Sequence, residues 1–164
     1  MPKQGDLSLL EHPVAQELLQ STHLARFAYV GTDGEPRVVP IWFHWDGREV
    51  VIGGPPAAPK VEALSRSGKV ALTIDSEVAP YHVVMIRGTA TTEIVEGVPS
   101  EYRAAATRYM GAEEAAGWVA TVENLFPRMA RIAVRPEWVG VIDFETRFPN
   151  EIEKGMAAAG AGAR

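Results

Sequence analysis

Two Asp-Gly pairs, Asp33-Gly34 and Asp46-Gly47, each sit between runs of alternating apolar and polar residues. Glycine accepts positive φ at little cost, so such a pair between alternating runs is a strong local signal for a β-hairpin. The flanking runs predict strands over Leu24–Gly31, Arg37–Trp45 and Glu49–Gly53, read together as a three-strand antiparallel meander. Further strands are expected at Lys69–Asp75, Val83–Ile94, Met129–Val134 and Val139–Phe144. Gly88 marks a bend or bulge in the long one, and Arg135-Pro136-Glu137 separates the last two. Helical spacing appears at Leu7–Leu19, Lys60–Ser65, Pro99–Met110 and Glu113–Val122. Pro13 suggests a break or late start in the first, Pro59 starts the second, and Gly111 ends the third. Short strands at regular spacing without a βαβ rhythm argue for a mainly β fold, an antiparallel barrel or sandwich with peripheral helices. Residues 1–150 are read as one domain with a polar tail at 1–6. The segment 151–164 has few large side chains and reads as a flexible tail.

The chain has 164 residues, no cysteine and a formal net charge of -5. Lack of cysteine removes disulfides, thiolate metal sites and a cysteine nucleophile. An acidic chain is a poor general binder of nucleic acid or anionic membrane. No apolar run approaches the ~20 residues that span a bilayer. The N-terminus lacks the pattern of a secretory leader, so the cytoplasm is the expected compartment. Phosphate-loop, dinucleotide-binding and nucleophile-elbow glycine patterns do not occur. The histidines His12, His23, His44 and His82 show no metal-pair spacing, and no metal site is expected.

Two segments remain unusual. Gly53-Gly54-Pro55-Pro56-Ala57-Ala58-Pro59-Lys60 puts two glycines at a strand end and a lysine in the first turn of a helix. A cation is disfavoured there by the helix dipole, whereas an anion bound at the same place would attract both the lysine and the helix amides. The competing reading is a solvated lysine offset by Glu62. In Arg37-Val38-Val39-Pro40-Ile41-Trp42-Phe43, Pro40 lies inside a strand pattern and cannot donate to a ladder. The strand is therefore an edge, a bulge or a ligand shelf. The apolar surface around Ile41, Trp42 and Phe43 is expected to be covered by a partner.

In order, these segments, with Pro80-Tyr81, Ile86-Arg87-Gly88-Thr89-Ala90 and Arg108-Tyr109-Met110-Gly111, resemble the pyridoxamine 5′-phosphate oxidase-like split β-barrel family. The likeness is strongest to its flavin- and deazaflavin-dependent reductases. The resemblance implies an FMN-binding type of split barrel, a homodimer with cofactor at the interface, and FMN or coenzyme F420 as cofactor. It implies an oxidoreductase that transfers a hydride to or from a small conjugated molecule. The ring would lie on the backbone of Arg37, Val38, Val39, Pro40, Ile41 and Trp42, with the phosphate near Gly53, Gly54, Pro59 and Lys60. Tyr81 and Arg87 complete the implied set. The oxidases proper usually carry a lysine where this chain has Trp42 and an arginine where it has Pro59. Catalytic residues are not assigned: Tyr81, His82, His44 and Tyr109 are candidate proton donors. The alternative is a non-catalytic flavin- or haem-binding module, with one of the four histidines as axial ligand.

Overall fold

The computed structural model describes residues 1–162. Its strands are β1 (Ala25–Val30), β2 (Pro36–Ile41), β3 (His44–Trp45), β4 (Val50–Gly54), β5 (Lys69–Asp75), β6 (Val83–Glu96) and β7 (Arg128–Ile142). Its α-helices are α1 (Pro13–Leu19), α2 (Pro59–Arg66), α3 (Ser100–Met110), α4 (Ala112–Leu125) and α5 (Asn150–Gly162). A 3₁₀ turn over Leu7–Glu11 precedes α1. The chain breaks between them at His12, whose Nδ1 accepts from the Val14 amide, and Pro13 opens the helix.

All seven strands form one antiparallel sheet in the order β2-β1-β5-β6-β7-β4-β3. Both Asp-Gly hairpins are present. Gly34 and Gly47 adopt φ of 83° and 95°, and each preceding aspartate caps its turn through a carboxylate oxygen. The expected meander is corrected. The predicted Arg37–Trp45 strand divides at Trp42-Phe43, and its two parts, β2 and β3, occupy opposite edges of the sheet. Two residues thus link the edges, and the sheet curls into a split barrel.

The two expected C-terminal strands are one continuous strand, β7. Its register against β6 shifts where Arg87 faces Trp138 and Gly88 faces Pro136, so Glu137 is the extra residue of a bulge. Gly88 is required there: a Cβ would lie 2.1 Å from the Arg135 carbonyl oxygen.

The barrel core contains Phe27, Phe43, Ile52, Leu72, Ile74, Ile86, Ile132 and Val141, with Leu18 and Leu19 of α1 and Leu64 of α2. A second apolar layer lies under α3 and α4, built from Ala106, Val119, Val122 and Met129 with Trp42, Tyr102 and Phe126 at its border. The segment expected as a tail is helical in α5. Residues 151–160 are exposed, and positions 163 and 164 lie outside the described residues.

Candidate functional site

Successive residues of a strand face opposite sides, and this separates the two glycines that end β4. A Cβ on Gly54 would lie 3.7 Å from Lys60 Nζ. A Cβ on Gly53 would lie 2.8 Å from Cδ2 of Tyr102. Gly53 thus admits the Tyr102 ring of α3, and Gly54 leaves room beside the Lys60 ammonium. Pro59 is the first residue of α2, and its N-cap, Ala58, makes no side-chain capping bond. Lys60 is partly buried and has no ion pair or side-chain hydrogen bond among the described residues. Glu62 does not offset it, because its carboxylate is held by Arg66 at 2.7 Å. Burial holds the Lys60 ammonium below the usual lysine range. A desolvated, unpartnered cation at a helix start is suited to an anion such as a phosphate, although Pro59 has no amide hydrogen and the Val61 amide is held by the Ala58 carbonyl at 2.9 Å.

Arg37 to Ile41 lie on the edge strand β2. Val39 and Ile41 pack toward the core, whereas Val38 is 65% exposed and flanked by exposed Pro36 and Pro40. Arg37 pairs with Asp33 at 2.5 Å. Residues 36, 38 and 40 face 30, 28 and 26 of β1. Two of them are prolines, so the pairs that exchange hydrogen bonds fall on the odd positions, as the Gly31–Glu35 bond at the turn confirms. The amide of Val38 and the carbonyls of Pro36, Val38 and Pro40 therefore face away from the sheet.

The link between the edges is covered within the chain, which corrects the expected exposed surface around Ile41, Trp42 and Phe43. Phe43 is fully buried. Trp42 stacks on Tyr109 and meets Tyr102 at 6.0 Å between ring centroids. Arg108 donates to the carbonyls of Ser21 and Phe43, and its guanidinium lies over the Phe43 and Tyr109 rings. The structure thus places Trp42 and Gly53 beside Tyr102 on one face of β4, and Gly54 beside Lys60, next to Pro59, on the other.

Arg37 and Arg87 meet elsewhere. They line a trough of about 420 Å³ on the outer face of β2, β1, β5 and β6. The Arg87 guanidinium lies 3.9 Å from the centroid of the Trp138 ring. Tyr81 stands apart from both groups, exposed and edge-on to Phe144.

Among the candidate proton donors, Tyr109 already donates to the His23 carbonyl at 2.8 Å, and His82 contacts Glu17. His44 Nδ1 is buried without a partner, and burial lowers the pKa of its ring. Among the described residues no three His, Asp or Glu side chains gather to hold a metal ion, and no helix is long and apolar enough to cross a membrane. Sequence reasoning missed Arg108 and Trp138 as positioning groups. It also missed that the Tyr102 ring occupies the space of a Gly53 side chain. The second glycine at a strand end was the available signal.

A family model described as pyridoxamine 5′-phosphate oxidase matches residues 12–143. No curated protein matches the chain in sequence. Among solved structures, an F420 reductase is 21% identical, with TM-score 0.53, covering 75% of this chain and 93% of its own. The conserved hypothetical protein Rv2991 from Mycobacterium tuberculosis is 19% identical, with TM-score 0.64, covering 88% of this chain and 90% of its own. A heme binding protein from Mycobacterium smegmatis is 18% identical, with TM-score 0.58, covering 82% of this chain and 54% of its own. At these identities the likeness is one of fold.

Proposed function

The chain belongs to the pyridoxamine 5′-phosphate oxidase family, and from that premise we propose that it is a homodimeric oxidoreductase that binds FMN or coenzyme F420. The observation that carries this reading is Lys60, a partly buried ammonium without an anionic partner in the first turn of α2. An F420 reductase and a FAD-binding protein among the structures of the same fold support a flavin-type cofactor.

The cofactor would supply hydride chemistry, exchanged with a small conjugated molecule; the protein supplies binding and orientation. Lys60, through its ammonium and its own amide, would hold the phosphate. Gly54, without a side chain, keeps the approach to Lys60 open. The outward backbone of β2 offers the Val38 amide as donor and the neighbouring carbonyls as acceptors to the polar edge of a ring. Trp42, stacked against Tyr109, fixes the end of that strand. The exposed stripe of Pro36, Val38 and Pro40, with Val30 beside it, is the apolar surface that a second copy would cover.

Titration of the apo protein with FMN and with coenzyme F420 tests the reading. Binding of one of them tighter than about 100 μM, near 5.5 kcal/mol, is the expected result. Binding of neither overturns it. The absorbance of the purified protein separates the alternative, since a Soret band identifies a haem module and flavin bands a flavoprotein. Sedimentation is expected to give twice the 17.8 kDa chain mass.

A further inference from the structure

We propose that His44 is an acid-sensitive latch on the sheet edge: a proton taken up by its ring releases the hairpin at 44–49 from β4 and α3. β3 is a strand of two residues and pairs with β4 alone. His44 lies opposite Val51. The Asp46 amide donates to the Glu49 carbonyl at 3.2 Å, so by alternation His44 and Val51 are the next pair to exchange backbone hydrogen bonds. Val51 and Gly53 share one face of β4, and Tyr102 of α3 fills the space above Gly53. Residues directly opposite each other in a ladder project to the same face. The His44 ring therefore stands between the sheet edge and α3.

Nδ1 of this ring is enclosed and has no hydrogen-bond partner among the described residues. A neutral ring tolerates this with its proton on the other nitrogen, because an enclosed lone pair costs less than an enclosed N–H. A charged ring must carry a proton on Nδ1 as well, and no free acceptor faces it. Two carboxylates act on the ring, Glu101 from α3 and Asp46 from the turn. Glu101 is held by Arg131 of β7 at 2.7 Å, and one Asp46 oxygen accepts from the amides of Arg48 and Glu49. The third charge is Arg108 of α3, which donates to the Ser21 and Phe43 carbonyls and repels an imidazolium. β4 brings no charge, being Val50-Val51-Ile52-Gly53-Gly54. Burial first, and Arg108 second, hold the docked ring below its ordinary 6.5.

A hairpin swung into water binds the proton more tightly than the docked one, so acid favours the open form. Between the ordinary and the lowered value one proton is taken up on opening, which multiplies the open population about tenfold per pH unit. The movement is local. Phe43 is fully buried and Trp42 is stacked on Tyr109 at one end of the hairpin, and Val50 belongs to the barrel core at the other. Between them Trp45 packs on the core only in part, and its withdrawal is the main cost of opening. Neither a cofactor nor a second copy of the chain enters this device.

The test is ring titration and hydrogen exchange by NMR on the full chain between about pH 5 and 8, the span over which histidine changes charge. The His44 ring is expected to titrate below 6.5. Exchange at the His44 and Val51 amides, divided by the intrinsic rate at each pH, is expected to rise about tenfold per pH unit on acidification below 6.5, while Leu72 and Ile86 in the core stay protected. His44→Gln has no titrating ring and should remove the rise. His82→Gln, at the histidine that contacts Glu17, should keep it. A ring that titrates at or above 6.5, or a flat exchange profile, overturns the proposal. So does a rise that persists in His44→Gln, one that is lost in His82→Gln, or an equal rise at Leu72 and Ile86, which would be global unfolding. If His44→Gln does not fold, the ring titration and the wild-type profile decide.

Discussion

Trp42 lies flat on Tyr109, with ring centroids 5.2 Å apart and planes 7° from parallel. The pair joins the link between β2 and β3 to α3, so helix and sheet edges hold one another. Trp42→Ala removes the stack and the contact with Tyr102, and a loss of about 3 kcal/mol is expected by urea denaturation. Trp42→Phe should restore part of it. An unchanged midpoint for Trp42→Ala would show that the link carries no packing energy.

Lys60→Ala is expected to weaken FMN or coenzyme F420 affinity between about 10- and 150-fold, since a charge-assisted hydrogen bond contributes about 1.5–3 kcal/mol. The apo variant should melt at the same temperature or slightly higher, because a desolvated cation at a helix N-terminus is removed. Its pH dependence has a definite sign. Burial lowers the folded pKa below the ordinary 10.5, so the unfolded chain binds this proton more tightly. Wild-type apo stability should gain on Lys60→Ala as pH rises from the lowered value to that of the free side chain. A cofactor that holds the ammonium charged should reverse the trend.

Arg108→Ala leaves the Ser21 and Phe43 carbonyls without their donor. A cost of about 2–4 kcal/mol is expected, the sum of two partly buried acceptors left unpaired. Hydrogen exchange should show faster opening at β3 than at β6. Uniform exchange across the sheet would assign Arg108 to surface packing alone.

Gly88→Ala places a methyl group against backbone that cannot swing aside, because the Arg135 carbonyl belongs to the bulge itself. Destabilisation of about 3 kcal/mol or more is expected in a denaturant melt. Gly34→Ala meets no atom within 4 Å and strains only the backbone φ of 83°. It should cost about 1 kcal/mol. Equal losses at the two sites would remove the argument from the bulge.

Asp143 is buried, which alone would raise its pKa, but it accepts from the Thr146 hydroxyl and the amides of Glu145, Arg147 and Thr146. The bonds win, and the carboxyl is held well below the usual carboxylate range. Its stabilisation is complete above the unfolded pKa of about 3.9 and fades as pH falls through the depressed folded value. Asp143→Asn should flatten the acid limb of the stability curve. An unaltered acid limb would place the titration elsewhere.

The hairpin turns, the proline starts of α1 and α2 and the Gly88 bulge were legible because each is decided by local backbone chemistry. The division at Trp42-Phe43 was not, since Val38 to Phe43 run on without a polar or glycine break. What splits it is pairing: β2 goes to β1, and β3 goes to β4 at the far edge. Pro136 suggested an end to a strand, yet the register shift around Glu137 lets β7 pass through it. At the candidate site, the odd position of Lys60 was visible as a cation in a first helical turn. That Arg66 engages Glu62 is a local i, i+4 pairing within α2, whereas the position of Arg37 and Arg87 on another face from Lys60 depends on long-range placement.

The prolines of β2 bear on how the protein behaves when crowded. An edge strand is a template on which another chain can lengthen a sheet, and fibrils grow by that repetition. Here Pro36 and Pro40 have no amide hydrogen, and the residues between them turn only one donor, that of Val38, outward. Arg37 already donates to the Pro36 carbonyl at 3.3 Å, so an incoming strand would find two free acceptors and a single N–H. The seam of the barrel can stay open at one rim without becoming a nucleus for aggregation.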